Sequence, residues 1–170
     1  AYTDDDELRF YVGIGAGAIL LVGLALFAAR QYDSIHDTIR HAVFQVISIV
    51  TTTGFGTADY LQWPPVSHAI LLMLMAVGGC AGSTGGGIKV MRLLLLLKVG
   101  MLELKKLVHP RAVTTLWFND RAVSPGLATN VLGFFLLFMT VYAVGVIALT
   151  LGGRDLVTAI GATAASLGNI

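Results

Sequence analysis

Charge is missing from residues 10–29 and again from residues 127–151, two apolar runs of 20 and 25 residues. A helix needs roughly 20 residues to cross about 30 Å of hydrocarbon, so both runs predict spanning helices, the longer one with some tilt. A third apolar run, residues 66–79, counts only 14 residues and then enters Gly82, Ser83, Thr84, Gly85, Gly86 and Gly87. It resumes as Ile88, Lys89, Val90, Met91 and Arg92, followed by five leucines. The pattern predicts a spanning helix over 66–107 that is interrupted by glycine. Unpaired backbone groups are costly in lipid, so such a break persists only where protein buries it or it lines a watery cavity.

Two further segments are too short or too polar to cross. Residues 34–53 carry His36, Asp37, Arg40, His41 and Gln45 in their first half. An apolar stretch, 46–50, then meets Thr51, Thr52, Thr53, Gly54, Phe55 and Gly56. Residues 155–165 lead in the same way into Ser166, Leu167, Gly168 and Asn169. Asp33 or Ser34 in the first segment, and Asp155 in the second, are suited to cap a helix. Each segment follows a predicted span, so the order span, half-helix, hydroxyl–x–glycine occurs twice, with Gly54 and Gly168 114 residues apart. The order of elements repeats although the residues themselves differ.

An ion filter accounts for this order. A cation leaving water gives up its hydration shell and needs oxygen ligands in exchange, and backbone carbonyls supply them without a fixed counter-charge. Turning successive carbonyls toward one axis takes backbone conformations that glycine adopts most readily. A half-helix ending at such a turn adds partial negative charge from its unpaired carbonyls. The order Thr52, Thr53, Gly54, Phe55, Gly56 meets these demands.

Composition places the chain in lipid. Hydrophobic residues make up 56% and charged residues 12%, about half the roughly 25% of a soluble domain. The net charge of +1 gives no sign of a nucleic-acid partner. The single cysteine, Cys80, excludes an intrachain disulfide framework and reads as a small packing residue. The first residue is Ala1, the opening is acidic from Asp4 to Glu7, and no polar tail follows Asn169 and Ile170, so the chain is expected to be an internal fragment. The acidic run is expected to be a solvated connection. Seven of the eleven basic residues (Lys89, Arg92, Lys98, Lys105, Lys106, Arg111 and Arg121) lie between the broken helix and the last span. The positive-inside rule then places residues 98–125 in the cytoplasm.

The filter-like stretch resembles the degenerate potassium-channel signature of the Trk/Ktr/HKT transporter superfamily. Residues 78–90, from Gly78 to Val90, closely resemble the broken helix of the translocating subunits of bacterial Trk-type potassium uptake systems, and residues 166–170 resemble their fourth filter. The resemblance covers essentially the whole chain. It implies an all-α membrane protein of repeated helix–re-entrant filter loop–helix units, four to a pore. Residues 1–107 would be the third repeat, with outer helix 10–29, pore helix and filter 34–56 and broken inner helix 66–107. Residues 108–126 would form a cytoplasmic loop, and 127–170 part of the fourth repeat, with outer helix 127–151 and pore helix and filter 155–170.

In that family the filter ligands for potassium would be the carbonyls of Thr52, Thr53, Gly54 and Phe55, with Gly56 completing the signature, and those of Ser166, Leu167, Gly168 and Asn169. The stretch Gly82, Ser83, Thr84, Gly85, Gly86 and Gly87, followed by Lys89, corresponds to an intramembrane gate loop. The resemblance further implies a multi-pass protein of a bacterial plasma membrane (the inner membrane in a Gram-negative cell). It implies a homodimer governed by a cytoplasmic ring of nucleotide-binding subunits, which would meet residues 105–121. Potassium would be the transported ion, with no cofactor and no enzymatic step.

Other readings of the same residues predict different behaviour. A secondary transporter coupled to an ion would bind its substrate at the broken helix. Small residues in 78–87 also suit close helix packing, although three consecutive glycines exceed what packing needs. A phosphate-binding loop fails because Ile88 follows Gly87 where lysine is required. A serine nucleophile at Ser83 would need a nearby base, and His68 lies on the far half of the same helix. Lys89 and Arg92 suit either snorkelling to an interface or a part in the gate. Asp59 suits an outer cation mouth or a plain loop carboxylate. Trp63 with Pro64 and Pro65 marks an interfacial anchor and a helix start.

Overall fold

The computed structural model describes residues 5–109, 117–119 and 121–170, with only the backbone described at 121, 122 and 125. The helices are α1 (Asp6–Ala28), α2 (Ile35–Val50), α3 (Pro65–Met75), α4 (Val90–Val108), α5 (Pro125–Leu151) and α6 (Leu156–Gly168). A one-turn 3-10 helix, Tyr60–Gln62, precedes α3. A two-stranded antiparallel ribbon, β1 (Trp117–Phe118) and β2 (Arg121–Ala122), precedes α5.

The two long uncharged runs are single helices. α1 has 23 residues and starts at Asp5, whose carboxylate accepts the Glu7 N–H. α5 has 27 residues, is capped by Ser124, and starts with Pro125 in its first turn. At 1.5 Å per residue these are about 34 and 40 Å long, enough to cross a bilayer. Their apolar surfaces are only partly used within the chain. α1 buries Ala18, Val22 and Leu26, one stripe at a spacing of four, against Ala42, Val46 and Ile49 of α2. Leu20, Leu21, Leu24 and Phe27 on its other faces stay exposed. On α5, Leu136, Leu137, Val144 and Ile147 are likewise exposed. Helices that are apolar all round yet packed along one stripe suit a lipid surrounding.

The core continues from α1 and α2 into Trp63, Leu71 and Leu74. Trp63 is 3% exposed, and its indole N–H donates to the Tyr32 hydroxyl at 3.1 Å. It is therefore a core residue, and the expected interfacial anchor is corrected. Burial of so large a ring is favourable once its one donor has a partner. Pro65 does begin α3.

Between α3 and α4 the backbone makes a non-helical excursion. Its two ends lie side by side, with Val77 and Ile88 in a parallel bridge. The Gly78 N–H donates to the Ile88 carbonyl at 2.8 Å, and the Ile88 N–H to the Ala76 carbonyl at 3.0 Å. The non-helical segment, 76–89, is longer than the glycine stretch because these cross-bonds replace helical ones on both sides of it.

Candidate ion pathway

The C-terminal end of α2 turns sharply through Thr52, whose φ is +56°. The Thr52 N–H donates to the Ile49 carbonyl at 3.0 Å and the Thr53 N–H to the Ser48 carbonyl at 2.9 Å. This is the reversed bonding of a left-handed helix cap. A β-branched residue in that region costs about 1 kcal/mol or more, a strain that persists only where the surroundings fix it. Gly54 comes next but one, with φ +74°. A Cβ there would also lie 3.1 Å from the Ile170 backbone, so the two filter-like segments approach each other at this glycine.

Ser48 organises the turn. It is 3% exposed and sits in the last turn of α2. Its hydroxyl donates to the Phe55 carbonyl at 2.6 Å. Its own carbonyl accepts the Thr53 hydroxyl at 3.1 Å, and its Oγ lies 3.3 Å from the same hydroxyl. The Phe55 carbonyl thus has one lone pair committed to α2, while the Phe55 ring is 70% exposed. Sequence reasoning passed over Ser48, because a serine within a helix gives no sign of a carbonyl partner seven residues further along the chain.

The end of α6 repeats this cap with other residues. Asn169 has φ +56°, its N–H donates to Ser166 at 3.4 Å, and the Ile170 N–H donates to Ala165 at 3.0 Å. The structural partner of Thr52 is therefore Asn169, and that of Thr53 is Ile170. The hydroxyl–x–glycine match of Gly54 with Gly168 is out of register by three residues. Ser166, Leu167 and Gly168 form the last turn of α6, equivalent to Ile49, Val50 and Thr51. Asparagine tolerates the left-handed region better than most residues, and that was the signal available in the sequence.

The excursion between α3 and α4 seats against both helix ends. The Gly87 N–H donates to the Leu167 carbonyl at 3.3 Å. Gly86 lies against the Gly168 carbonyl so closely that a Cβ would overlap it. A Cβ on Gly85 would fall 2.9 Å from the Thr52 hydroxyl. Inside the excursion Ser83 folds back, donating its N–H and hydroxyl to the Cys80 carbonyl at 2.9 and 2.8 Å. The Lys89 ammonium donates to the carbonyls of Ser83 at 2.7 Å and Gly85 at 2.6 Å, and to the Ser83 hydroxyl at 3.2 Å. All three of its donors serve the loop, so Lys89 does not snorkel away from it. Arg92 instead stacks its guanidinium 3.9 Å from the Phe134 ring centroid on α5.

The acidic start of α1 is engaged rather than merely solvated. One Glu7 oxygen accepts the Ala81 N–H at 2.7 Å and the Met91 N–H at 3.2 Å. Asp6 pairs with Lys98 of α4 at 2.6 Å. Asn119 of the ribbon accepts the Asp6 N–H at 2.9 Å and donates to Asp5 at 3.2 Å. Asp4 lies outside the described residues, as do residues 110–116 (Arg111 among them) and 120 of the predicted ring-facing segment 105–121. Asp59 caps its own turn, accepting from the Leu61 N–H at 3.1 Å and the Gln62 amide at 3.0 Å.

A sequence profile of the family described as "TrkH: Cation transport protein" matches residues 23–170. The "Trk system potassium uptake protein TrkH" of Halomonas elongata is 39% identical over 169 residues, covering 99% of this chain and 35% of that protein. The protein of the same description from Escherichia coli K12 is 40% identical over the same shares of each chain. The crystal structure of the potassium transporter TrkH from Vibrio parahaemolyticus superposes with a TM-score of 0.93 at 41% identity, over 99% of this chain and 36% of that one. The chain thus spans about a third of the length of the curated relatives it matches.

Proposed function

We propose, since the chain belongs to the TrkH family of cation transport proteins, that it supplies the third repeat and the start of the fourth in a four-repeat potassium pore. The observation that carries this reading is the seating of Gly85, Gly86 and Gly87 against the C-terminal ends of α2 and α6. Two half-helices whose carbonyl ends converge make a site for a cation. A loop pressed on both ends stands where that cation would leave.

In this reading potassium sheds its water and passes down its electrochemical gradient through carbonyls of Thr52, Thr53 and Gly54, with Phe55 at the rim held by Ser48. Asn169 contributes from the fourth repeat, while Ser166, Leu167 and Gly168 supply the negative end of its half-helix. Gly82, Ser83, Thr84, Gly85, Gly86 and Gly87 form the gate. Lys89 holds the loop's carbonyls and places a positive charge in the cation's path. The protein would lie in a bacterial plasma membrane, with the basic end cytoplasmic. It would work as a homodimer with a nucleotide-binding ring, and it would perform no covalent chemistry.

The test is rubidium-isotope uptake into liposomes holding the complete transporter, compared with its Gly54→Asp variant. Aspartate would add a charge and a Cβ at a left-handed position beside Ile170. Uptake should fall at least tenfold or lose its preference for potassium over sodium. Equal uptake by both proteins would put Gly54 in an ordinary loop and favour a substrate site at the broken helix.

A further inference from the structure

We infer that Glu7 is a positioning residue for the gate: its carboxylate, supplied by the first turn of α1, pins both ends of the intramembrane loop. The inference rests on the reading of residues 82–87 as that gate. Glu7 is separated by 74 residues from Ala81 and by 84 from Met91, yet one of its oxygens accepts both backbone N–H groups. Ala81 lies where the chain enters the glycine stretch, and Met91 lies in the first turn of α4 just after the chain leaves it.

The Met91 donor needs an outside partner. The first N–H groups of a helix have no intrahelical acceptor, and Lys89, at the N-cap of α4, provides no side-chain bond to them. A carboxylate is the favoured acceptor there because it also faces the positive end of the helix dipole. Glu7 thus caps α4 from another helix while holding the opposite end of the loop. If the loop swings out of the ion path by separating Ala81 from Met91, at least one of these bonds has to break.

The anchor is itself tied to the basic end of the molecule. Asp6, the neighbour of Glu7, pairs with Lys98, and Lys98 also donates to the Trp117 carbonyl at 3.1 Å. Asn119 bridges Asp5 and Asp6. A displacement of the ribbon at Trp117 and Asn119 would therefore act on the first turn of α1, where Glu7 holds the loop. This gives a cytoplasmic signal a short covalent and hydrogen-bonded route to the gate.

The experiment uses the complete transporter in liposomes, with Glu7→Ala, Glu7→Gln and Lys89→Met measured beside the parent. Two readouts are taken: rubidium flux per reconstituted protein, and the rate at which Cys80, next to Ala81, is alkylated, followed by mass spectrometry of its peptide. Glu7→Ala should raise flux about fivefold or more and speed Cys80 alkylation, with the potassium-to-sodium preference unchanged. Glu7→Gln keeps an acceptor without the charge, should fold where the alanine variant does not, and should show a smaller rise of about twofold. Flux and alkylation unchanged or lowered in both Glu7 variants, with flux raised in Lys89→Met, would overturn the role of Glu7 and leave the gate standing. Flux unmoved by all three variants would overturn the gate as well.

Discussion

The turn after α2 and the excursion between α3 and α4 meet at Thr52 and Gly85, yet they are held in opposite ways. The turn is fastened by its own helix. Ser48 reaches Thr53 and Phe55, five and seven residues away, through hydroxyl and carbonyl groups that carry no net charge. The excursion, besides the backbone bonds that join its ends, is fastened by two charges, Lys89 at its exit and Glu7 from the start of α1. A unit wired within one helix keeps its carbonyls aligned with that helix, which Tyr11 of α1 also meets by donating to the Val50 carbonyl at 3.1 Å. A unit wired to a distant helix responds when that helix moves. The wiring fits the proposed division, in which the first chooses an ion and the second is opened.

Substitution where the excursion presses on the end of α6 should have the largest effect. Gly86→Ala forces a Cβ into the Gly168 carbonyl, so loop and helix end have to part. Rubidium flux through the complete transporter should rise about tenfold, with ion preference retained. An unchanged flux would mean that the loop yields in place.

Ser48→Ala acts on the turn alone. It leaves the Phe55 carbonyl without its hydroxyl donor, at a cost of about 1 kcal/mol. The preference for potassium over sodium, measured by competition for rubidium uptake, should drop severalfold while total flux changes little. Ser48→Thr keeps the hydroxyl and should retain most of the preference.

The smallest effect concerns the cap of α6. Asp155 titrates below its ordinary value of 3.8, chiefly because the Thr158 N–H donates to it. A carboxyl lowered by folding adds stability above its unfolded value and loses it as the pH falls through the folded one. Thermal unfolding should not register this group between about pH 5 and pH 9, and should register it only below about pH 4. Asp155→Asn should remove that acid sensitivity with little change at neutral pH, because asparagine caps comparably.

Much of the framework was legible because lipid imposes simple rules. An uncharged run longer than a bilayer is thick has few structures open to it, and residues 10–29 and 127–151 coincide with most of α1 and α5. Three glycines in a row inside an apolar stretch announce a break in a helix, although its full extent, 76–89, depends on cross-bonds between Val77, Gly78 and Ile88. Matching the two filter-like turns by residue type puts Gly168 opposite Gly54. The backbone instead matches the left-handed residues Thr52 and Asn169, because helix ends are equivalent by conformation rather than by side-chain type. Glu7 was not legible at all. Its partners are backbone N–H groups 74 and 84 residues away, and an acidic run at the head of a chain looks the same whether solvated or engaged.

If the turn selects and the excursion gates, the two functions should come apart in a single preparation. Rubidium flux and potassium-to-sodium preference, measured in the same vesicles for Ser48→Ala and Gly86→Ala, should then give a crossed result. Preference is lost and flux kept in the first, while flux is raised and preference kept in the second. If both substitutions move the same quantity in the same direction, the two regions are not separable and the division between selecting and gating is wrong.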